Sequence, residues 1–308
     1  MSDETRSGDK ETVFIVNGAS RSGSQMADAS RNALIEAGFT VTESLVTTKP
    51  NEMSTQLKAW VQSKVPLVIV GGGDGTQREA AEIISGSETT LGVFPLGTGN
   101  AWAKDLGIPV PAPEAAKVLF NANVETIDLG VANKRGFVNV ATIGLTSLIV
   151  KNIPTQFKGR FGKLVYLPAV IRSLAEMKPF YLNVETDGDS YAGEALLFVA
   201  AAGRTHAGPF RVTRFSSNND GLLSLYALDA TDRMGMAKFA LGLLTGLHTF
   251  LSEVWNCETK STQVKTDPEK RIIVDGEPSG RTPLALEIRP ASLRVLVPQV
   301  DEQKEPES

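Results

Sequence analysis

Four short stretches set carboxylates or hydroxyls among glycines. They are GGGDGTQR (71–78), LGTGN (96–100), NDGLL (219–223) and DGE (275–277). Glycine lets backbone approach a ligand closely, and successive N–H groups can cradle phosphate. A helix opening just after such a loop adds the positive end of its dipole. A carboxylate there can engage metal-bound phosphate, or take a proton from an alcohol. Taken singly, each stretch also reads as plain structure. Asp74 fits a helix cap, and Asp275-Gly276 and Asp220-Gly221 fit tight turns.

Two common phosphate motifs are absent. A P-loop ends in Gly-Lys-Ser/Thr, whereas Gly75 is followed by Thr76-Gln77. The dinucleotide pattern Gly-x-Gly-x-x-Gly fails at Thr76 counted from Gly71, and at Trp102 counted from Gly97. Yet NGASRSGS (17–24), GGGDGT and LGTGN each follow an apolar, strand-like run. Three such loops on one sheet edge favour a nucleotide-phosphate site over three unrelated turns. Only two histidines occur, His206 and His248, which weakens zinc or Ser-His-Asp chemistry; both read as structural or surface residues.

The elements that must position these loops fall into two styles. From 12 to 122, TVFIVN, FTVTESLV, PLVIV and LGVFPLG read as strands. Helical stretches separate them: a face of Met26, Ala29, Ala33, Leu34 and Ala37, then 53–63, then 76–86. That rhythm predicts an open parallel sheet with helices on both sides. Beyond Val124, short strands follow one another: TIDLGVA, GFVNVAT, FYLNVETD, EALLFVAA, LLSLYAL, RIIVDG, LALEIR and SLRVLV. They predict a mainly antiparallel β-sandwich or barrel-like pair of sheets, with helical insertions at 161–176 and 234–251. The expected division is a polar tail at 1–10, an α/β domain at 11–125, a β domain at 126–298 and an acidic tail at 299–308.

The 308 residues are 42% apolar and 21% charged, with net charge −4 and pI about 5.4, a balance that argues against nucleic acid as partner. The single Cys257 excludes an intrachain disulfide and fits a reducing cytoplasm, and the polar start MSDETRSGDKE lacks a secretory h-region. Met234 to Leu251 is mostly apolar but carries Lys238 and His248, so it reads as a buried or lipid-facing helix rather than a spanning one.

In order, GGDGT (72–76), PLGTGN (95–100) with Leu106-Gly107, and VDGEP (274–278) resemble the diacylglycerol kinase catalytic domain family, which includes sphingosine kinases and bacterial soluble lipid kinases. Asn17-Gly18-Ala19-Ser20 is similar to its first nucleotide loop. IDLG (127–130) is similar to the opening of its second domain, and NDGLL to its metal-site turn. The resemblance implies an ATP-dependent lipid kinase acting on a diacylglycerol-like or sphingoid alcohol. Nucleotide would sit on the first domain and lipid on the second, with the active site in the cleft between them.

Carried over, the nucleotide positions are Asn17, Thr47, Gly71, Gly72, Gly73, Asp74, Gly75, Thr76, Gln77, Arg78, Gly97, Thr98, Gly99 and Asn100. Glu277 matches the proton acceptor, with Asp275 and Asp74 as rivals. Ser217, Asp220 and Leu222 match a structural magnesium site. ATP and Mg²⁺ are the implied cofactors. A cytoplasmic protein peripheral at the membrane follows, in transient contact with the lipid surface; strand edges would allow a homodimer. A carboxylate in reach of an alcohol should accelerate transfer by roughly 10²–10⁴-fold. The chain departs from the pattern at Arg78, Ala101-Trp102, Ala202-Gly203-Arg204 and Ser216 to Asn219. A relative that binds nucleotide or lipid without turnover is the alternative. An NAD kinase, which shares GGDGT, is disfavoured by the DGEP and PLGTGN segments.

Overall fold

The computed structural model describes residues 10–18, 23–144, 177–202, 219–229 and 232–299. Two compact units divide them: one holds the described residues up to Ile127 and from Ser292 onward, the other spans Asp128 to Ala291.

The first unit is built on β1 (Lys10–Asn17), β2 (Phe39–Thr47), β3 (Leu67–Gly72) and β4 (Thr90–Pro95). All pair in parallel, in the order β2-β1-β3-β4. Every residue of β3 is buried, as expected for a strand covered on both faces. Its Val68, Ile69 and Val70 pack with Phe14, Ile15, Leu91 and Phe94, all at 0–1% exposure. The helices are α1 (Gly23–Glu36), α2 (Pro50–Gln62), α3 (Asp74–Ile84), α4 (Ala101–Asp105) and α5 (Ala112–Phe120). The buried face of α1 is Ala27, Ser30, Ala33 and Leu34. The expected Ala29 is exposed: it lies one helical step away from the stripe that 3.6-residue periodicity draws through these four.

Among the described residues, strands inside the second unit pair antiparallel. Its strands are β5 (Asn123–Ala132, entering from the first unit), β6 (Arg135–Phe137), β7 (Val140–Ile143), β8 (Phe180–Thr186), β9 (Ser190–Ala201) and β10 (Leu223–Asp229). Then come α6 (Arg233–Thr245), β11 (Val254–Thr259), β12 (Ser261–Asp267), β13 (Arg271–Val274), β14 (Glu277–Arg281) and β15 (Leu284–Val297). β9 pairs with three strands. Its first half pairs with β8, and its second half lies between β7 and β10. Period-2 alternation then sorts its side chains. Phe198 and Ala200 join Leu182, Val184, Ile272 and Leu286 in the sandwich interior, while Leu197, Val199 and Ala201 turn outward under α6.

Three of these strands, β11, β12 and β14, lie beyond the expected set. Two expected strands are cut differently. GFVNVAT breaks at Val138-Asn139, between β6 and β7. LALEIR and SLRVLV form one strand, β15, whose Val264-paired start lies in the second unit, while Arg294 and Val295 pair in parallel with Thr90 and Leu91 of β4. The expected division at 125 and 298 and the observed partition therefore differ over 126–127 and 292–298, where Arg294 and Val295 lie on the β4 edge. The expected insertion at 161–176 lies outside the described residues. The one at 234–251 is α6, ended by Gly246 at φ 74, followed by a 3-10 turn at His248–Phe250.

Candidate functional site

Sheet order makes the first site. With β1 and β3 adjacent, the chain reverses direction between them, and in such sheets ligands bind beyond the carboxyl ends at that reversal. Asn17 ends β1, and the GGDGT loop ends β3. The two are joined across the gap, for Asn17 Nδ2 donates to Thr76 Oγ1 at 2.8 Å. From the end of β2, the Thr47 carbonyl accepts from Gly18 N at 2.8 Å, while its hydroxyl donates to Glu52 at 2.6 Å. From the end of β4, Leu96 N donates to the Gly72 carbonyl at 3.0 Å.

The two glycine loops touch through backbone. A Cβ on Gly97 would overlap Gly73 Cα, and one on Gly99 would lie 2.7 Å from Asp74 Oδ2. Side chains are excluded there, which leaves peptide groups as the lining. Asn100, 3% exposed and left-handed at φ 49, stitches its own loop: Oδ1 accepts from Gly97 N, and Nδ2 donates to the Gly97 carbonyl, both at 2.8 Å. Asp74 then serves α4, whose own cap residue does not: Asp74 Oδ1 accepts from Trp102 N at 3.2 Å. The N-cap of α3 is Gly73, which has no side chain to cap it. Its first-turn N–H groups, with the exposed Thr98, fit the needs of a phosphate chain.

Not every expected nucleotide residue is placed to meet a ligand. Gln77 is 2% exposed, and its Nε2 donates to the Val70 carbonyl at 2.6 Å and the Phe94 carbonyl at 3.1 Å. It staples β3 to β4. Gly71 packs under Leu96 and Val16. Arg78 is 8% exposed and pairs with Glu82 at 3.4 Å along α3. Ala19 to Ser22 of the first loop lie outside the described residues.

The second unit separates the two carboxylates of DGE. Asp275 and Gly276, at φ 46 and 84, make the tight turn between β13 and β14. Asp275 Oδ2 accepts from Val138 N at 2.9 Å, and Oδ1 accepts from Asn139 N and Val140 N, each at 3.0 Å. Both oxygens are engaged in holding the break between β6 and β7. The Glu277 side chain is 47% exposed, and its Oε2 accepts from Arg135 Nη2 at 2.6 Å. Arg135 also reaches the Pro278 carbonyl at 3.2 Å. Sequence reasoning misses Arg135, since no local pattern links positions 142 residues apart.

Of the expected metal set, Ser217 lies outside the described residues. Asp220 Oδ1 accepts from Leu222 N at 3.0 Å. Buried Asp128 of the IDLG stretch holds the same turn, taking Gly221 N at 2.7 Å on one oxygen and Ala291 N at 2.7 Å on the other. Among the described residues no three His, Cys, Asp or Glu side chains gather as a metal group. The described part of the turn is held by hydrogen bonds within the protein. His206 lies outside the described residues; His248 is fully buried against Tyr226 and Phe239. Gly130 completes IDLG by lacking a Cβ, which would overlap the Phe137 ring across the β5–β6 pair.

The profile of the diacylglycerol kinase catalytic domain matches residues 11–132, and that of the YegS C-terminal NAD kinase beta sandwich-like domain matches 140–297. A diacylglycerol kinase of Bacillus subtilis is 28% identical over 251 residues, 80% of this chain and 82% of the relative. A "Probable lipid kinase YegS-like" protein of Pseudomonas putida is 31% identical over 234 residues, 75% and 77% of the two chains. The crystal structure of a diacylglycerol kinase from Bacillus anthracis str. Sterne covers 94% of this chain and 97% of its own with TM-score 0.71; at 21% identity that is a likeness of fold. A second solved chain from that organism gives TM-score 0.77 at 27% identity with the same coverage.

Proposed function

The chain belongs to the lipid kinase family that joins a diacylglycerol kinase catalytic domain to a YegS-type C-terminal domain, and on that premise we propose that it transfers the γ-phosphoryl group of ATP to the hydroxyl of a diacylglycerol-like or sphingoid lipid. It is a phosphotransferase with an alcohol acceptor. The observation that carries the ATP reading is the meeting of the Asn17, Gly72–Asp74 and Gly97–Asn100 loops beyond β1, β3 and β4. Contact with membrane is peripheral and serves to collect substrate.

Phosphoryl transfer asks a protein for positioning and for neutralising charge more than for covalent chemistry. Peptide N–H groups of the two glycine loops and the first turn of α3 hold the phosphate chain. Thr98 lends a hydroxyl. Asn17 fixes Thr76, and Asn100 fixes the PLGTGN loop, so both act by keeping the cradle in shape. Mg²⁺ bound with the nucleotide would offset phosphate charge. Glu277 takes the proton as the acceptor O–H breaks and the new O–P bond forms, while ADP leaves. Arg135 orients Glu277, and Asp275 positions the turn that carries it. Glu277 is preferred over Asp275 because it offers an exposed carboxylate, whereas both Asp275 oxygens are bound by three backbone donors.

Purified protein incubated with labelled ATP, Mg²⁺ and a panel of lipid alcohols should yield labelled phospholipid. Glu277→Gln should cut the yield by roughly 10²–10⁴-fold while nucleotide binding persists. Nucleotide binding with no labelled lipid from any acceptor would favour a regulatory relative without turnover. Label on NAD would favour an NAD kinase.

A further inference from the structure

Helix α6 carries exposed apolar side chains on the face opposite its buried one. Met236, Phe239, Ala240 and Leu243 recur at helical spacing and pack inward against the outer face of β9 and β10. At 3.6 residues per turn, Met234, Lys238, Leu241 and Thr245 fall on the opposite side. Met234 is 64% exposed and Leu241 54%. Past Gly246, the 3-10 turn extends the bare surface with Leu247, 42% exposed, and Phe250, 64% exposed. Among the described residues of this unit, the other large apolar side chain so exposed is Tyr181.

A helix facing water ordinarily turns polar residues outward, and a clustered apolar surface marks an interaction site. Fraying does not account for the exposure, because the segment is anchored at both ends. Asp232 Oδ1 accepts from Gly235 N at 2.9 Å. The His248 ring sits edge-on to Tyr226 and Phe239, centroids 5.0 and 5.7 Å away. Gly242, having no Cβ, lets the chain fold back until Leu247 N reaches the Gly242 carbonyl at 2.9 Å.

We propose that the face formed by Met234, Leu241, Leu247 and Phe250 seats on the surface of a phospholipid bilayer. The assignment rests on the lipid kinase reading, in which the acceptor alcohol resides in a bilayer. Among the described residues no helix is long and apolar enough to cross a membrane. The α6 face gains from leaving water, as interfacial helices do. Lys238, 54% exposed at mid-face, pairs with Glu253 at 3.2 Å and places a cation where headgroup phosphates lie.

Flotation of the full chain with vesicles of phosphatidylcholine and phosphatidylglycerol tests the proposal. Wild type and an Ile35→Asp control, altered at an exposed apolar site on α1, should float equally. Leu241→Asp/Phe250→Asp should float about tenfold less or worse, with an unchanged melting temperature. Should that variant melt earlier, Leu241→Gln/Phe250→Ser takes its place in the comparison. Equal flotation of wild type and double variant overturns the assignment. So does a wild type that ignores vesicles but elutes as a dimer that the double variant loses. Phosphorylation of a water-dispersed short-chain diacylglycerol separates the two readings. If the double variant retains it while losing flotation, the docking face stands. If wild type floats yet phosphorylates no lipid, the kinase reading fails and the docking face survives.

Discussion

Asp275 and Val140 hold each other twice. Asp275 N donates to the Val140 carbonyl at 2.9 Å, and Val140 N donates back to Asp275 Oδ1 at 3.0 Å. With the bonds from Val138 and Asn139, one side chain satisfies the three donors left over where β6 stops and β7 begins. A chain break inside a sandwich requires such a partner, since unpaired backbone N–H groups are costly once shielded from water. Two residues further on, Glu277 pairs with Arg135 and keeps much of its surface in solvent.

That contrast predicts opposite mutant signatures. Asp275→Ala orphans three donors and should cost about 2–4 kcal/mol, with a melting shift of several degrees. Glu277→Gln loses one half-exposed ion pair, worth at most about 1 kcal/mol, and should melt near wild type while losing phosphoryl transfer. Differential scanning calorimetry beside a kinase assay reads both. An Asp275→Ala protein of native stability would remove the positioning role.

Gly97→Ala should disable the nucleotide cradle. Its new methyl meets the Gly73 backbone, which has no flexible end to move aside. ATP affinity should fall by more than about tenfold, and the first unit should lose stability. Gly99→Ala meets only the Asp74 carboxylate, which can rotate away from Trp102 N. It should lose activity with a smaller melting shift. Calorimetric titration with ATP distinguishes the pair.

Asn17→Ala removes the tie between the β1 and β3 ends. One hydrogen bond in a positioned site is worth about 1 kcal/mol, so ATP affinity should drop by roughly 5–10-fold. Asn17→Asp, which cannot donate to Thr76 and adds negative charge near the phosphates, should be worse. Equal affinities for all three proteins would show that the tie does not matter to nucleotide.

Cys257 should react sluggishly. Burial, with the negative charges of Asp189 and Glu258, pushes its thiol from 9.0 up to about 11. Alkylation of native protein near pH 8 should run about 100-fold slower than that of the unfolded chain, because the thiolate is scarcer. The stability consequence has a definite sign. It is fully present below pH 9 and is lost as pH climbs toward 11, since the unfolded chain ionises first. Alkylation rates measured against pH should turn upward only near the higher value.

The sequence by itself determined the two halves of the fold, because period and composition are local properties. A wholly apolar β3 means a strand covered on both sides, and glycine runs after strands mean loops at a sheet edge. It also marked GGDGT and PLGTGN as loops that follow strands, and these two meet at one sheet edge. Tertiary structure alone decided what each residue in those loops does. Gln77 lies in the motif yet staples β3 to β4, Asp74 caps a helix 28 residues away, and Asp275 spends its carboxylate on a strand break. Arg135 reaches Glu277 only because β6 and β14 are brought together across 142 residues. The reason is physical: a side chain's role is set by the hydrogen-bond donors and acceptors around it, and those come from parts of the chain that no local spacing can specify.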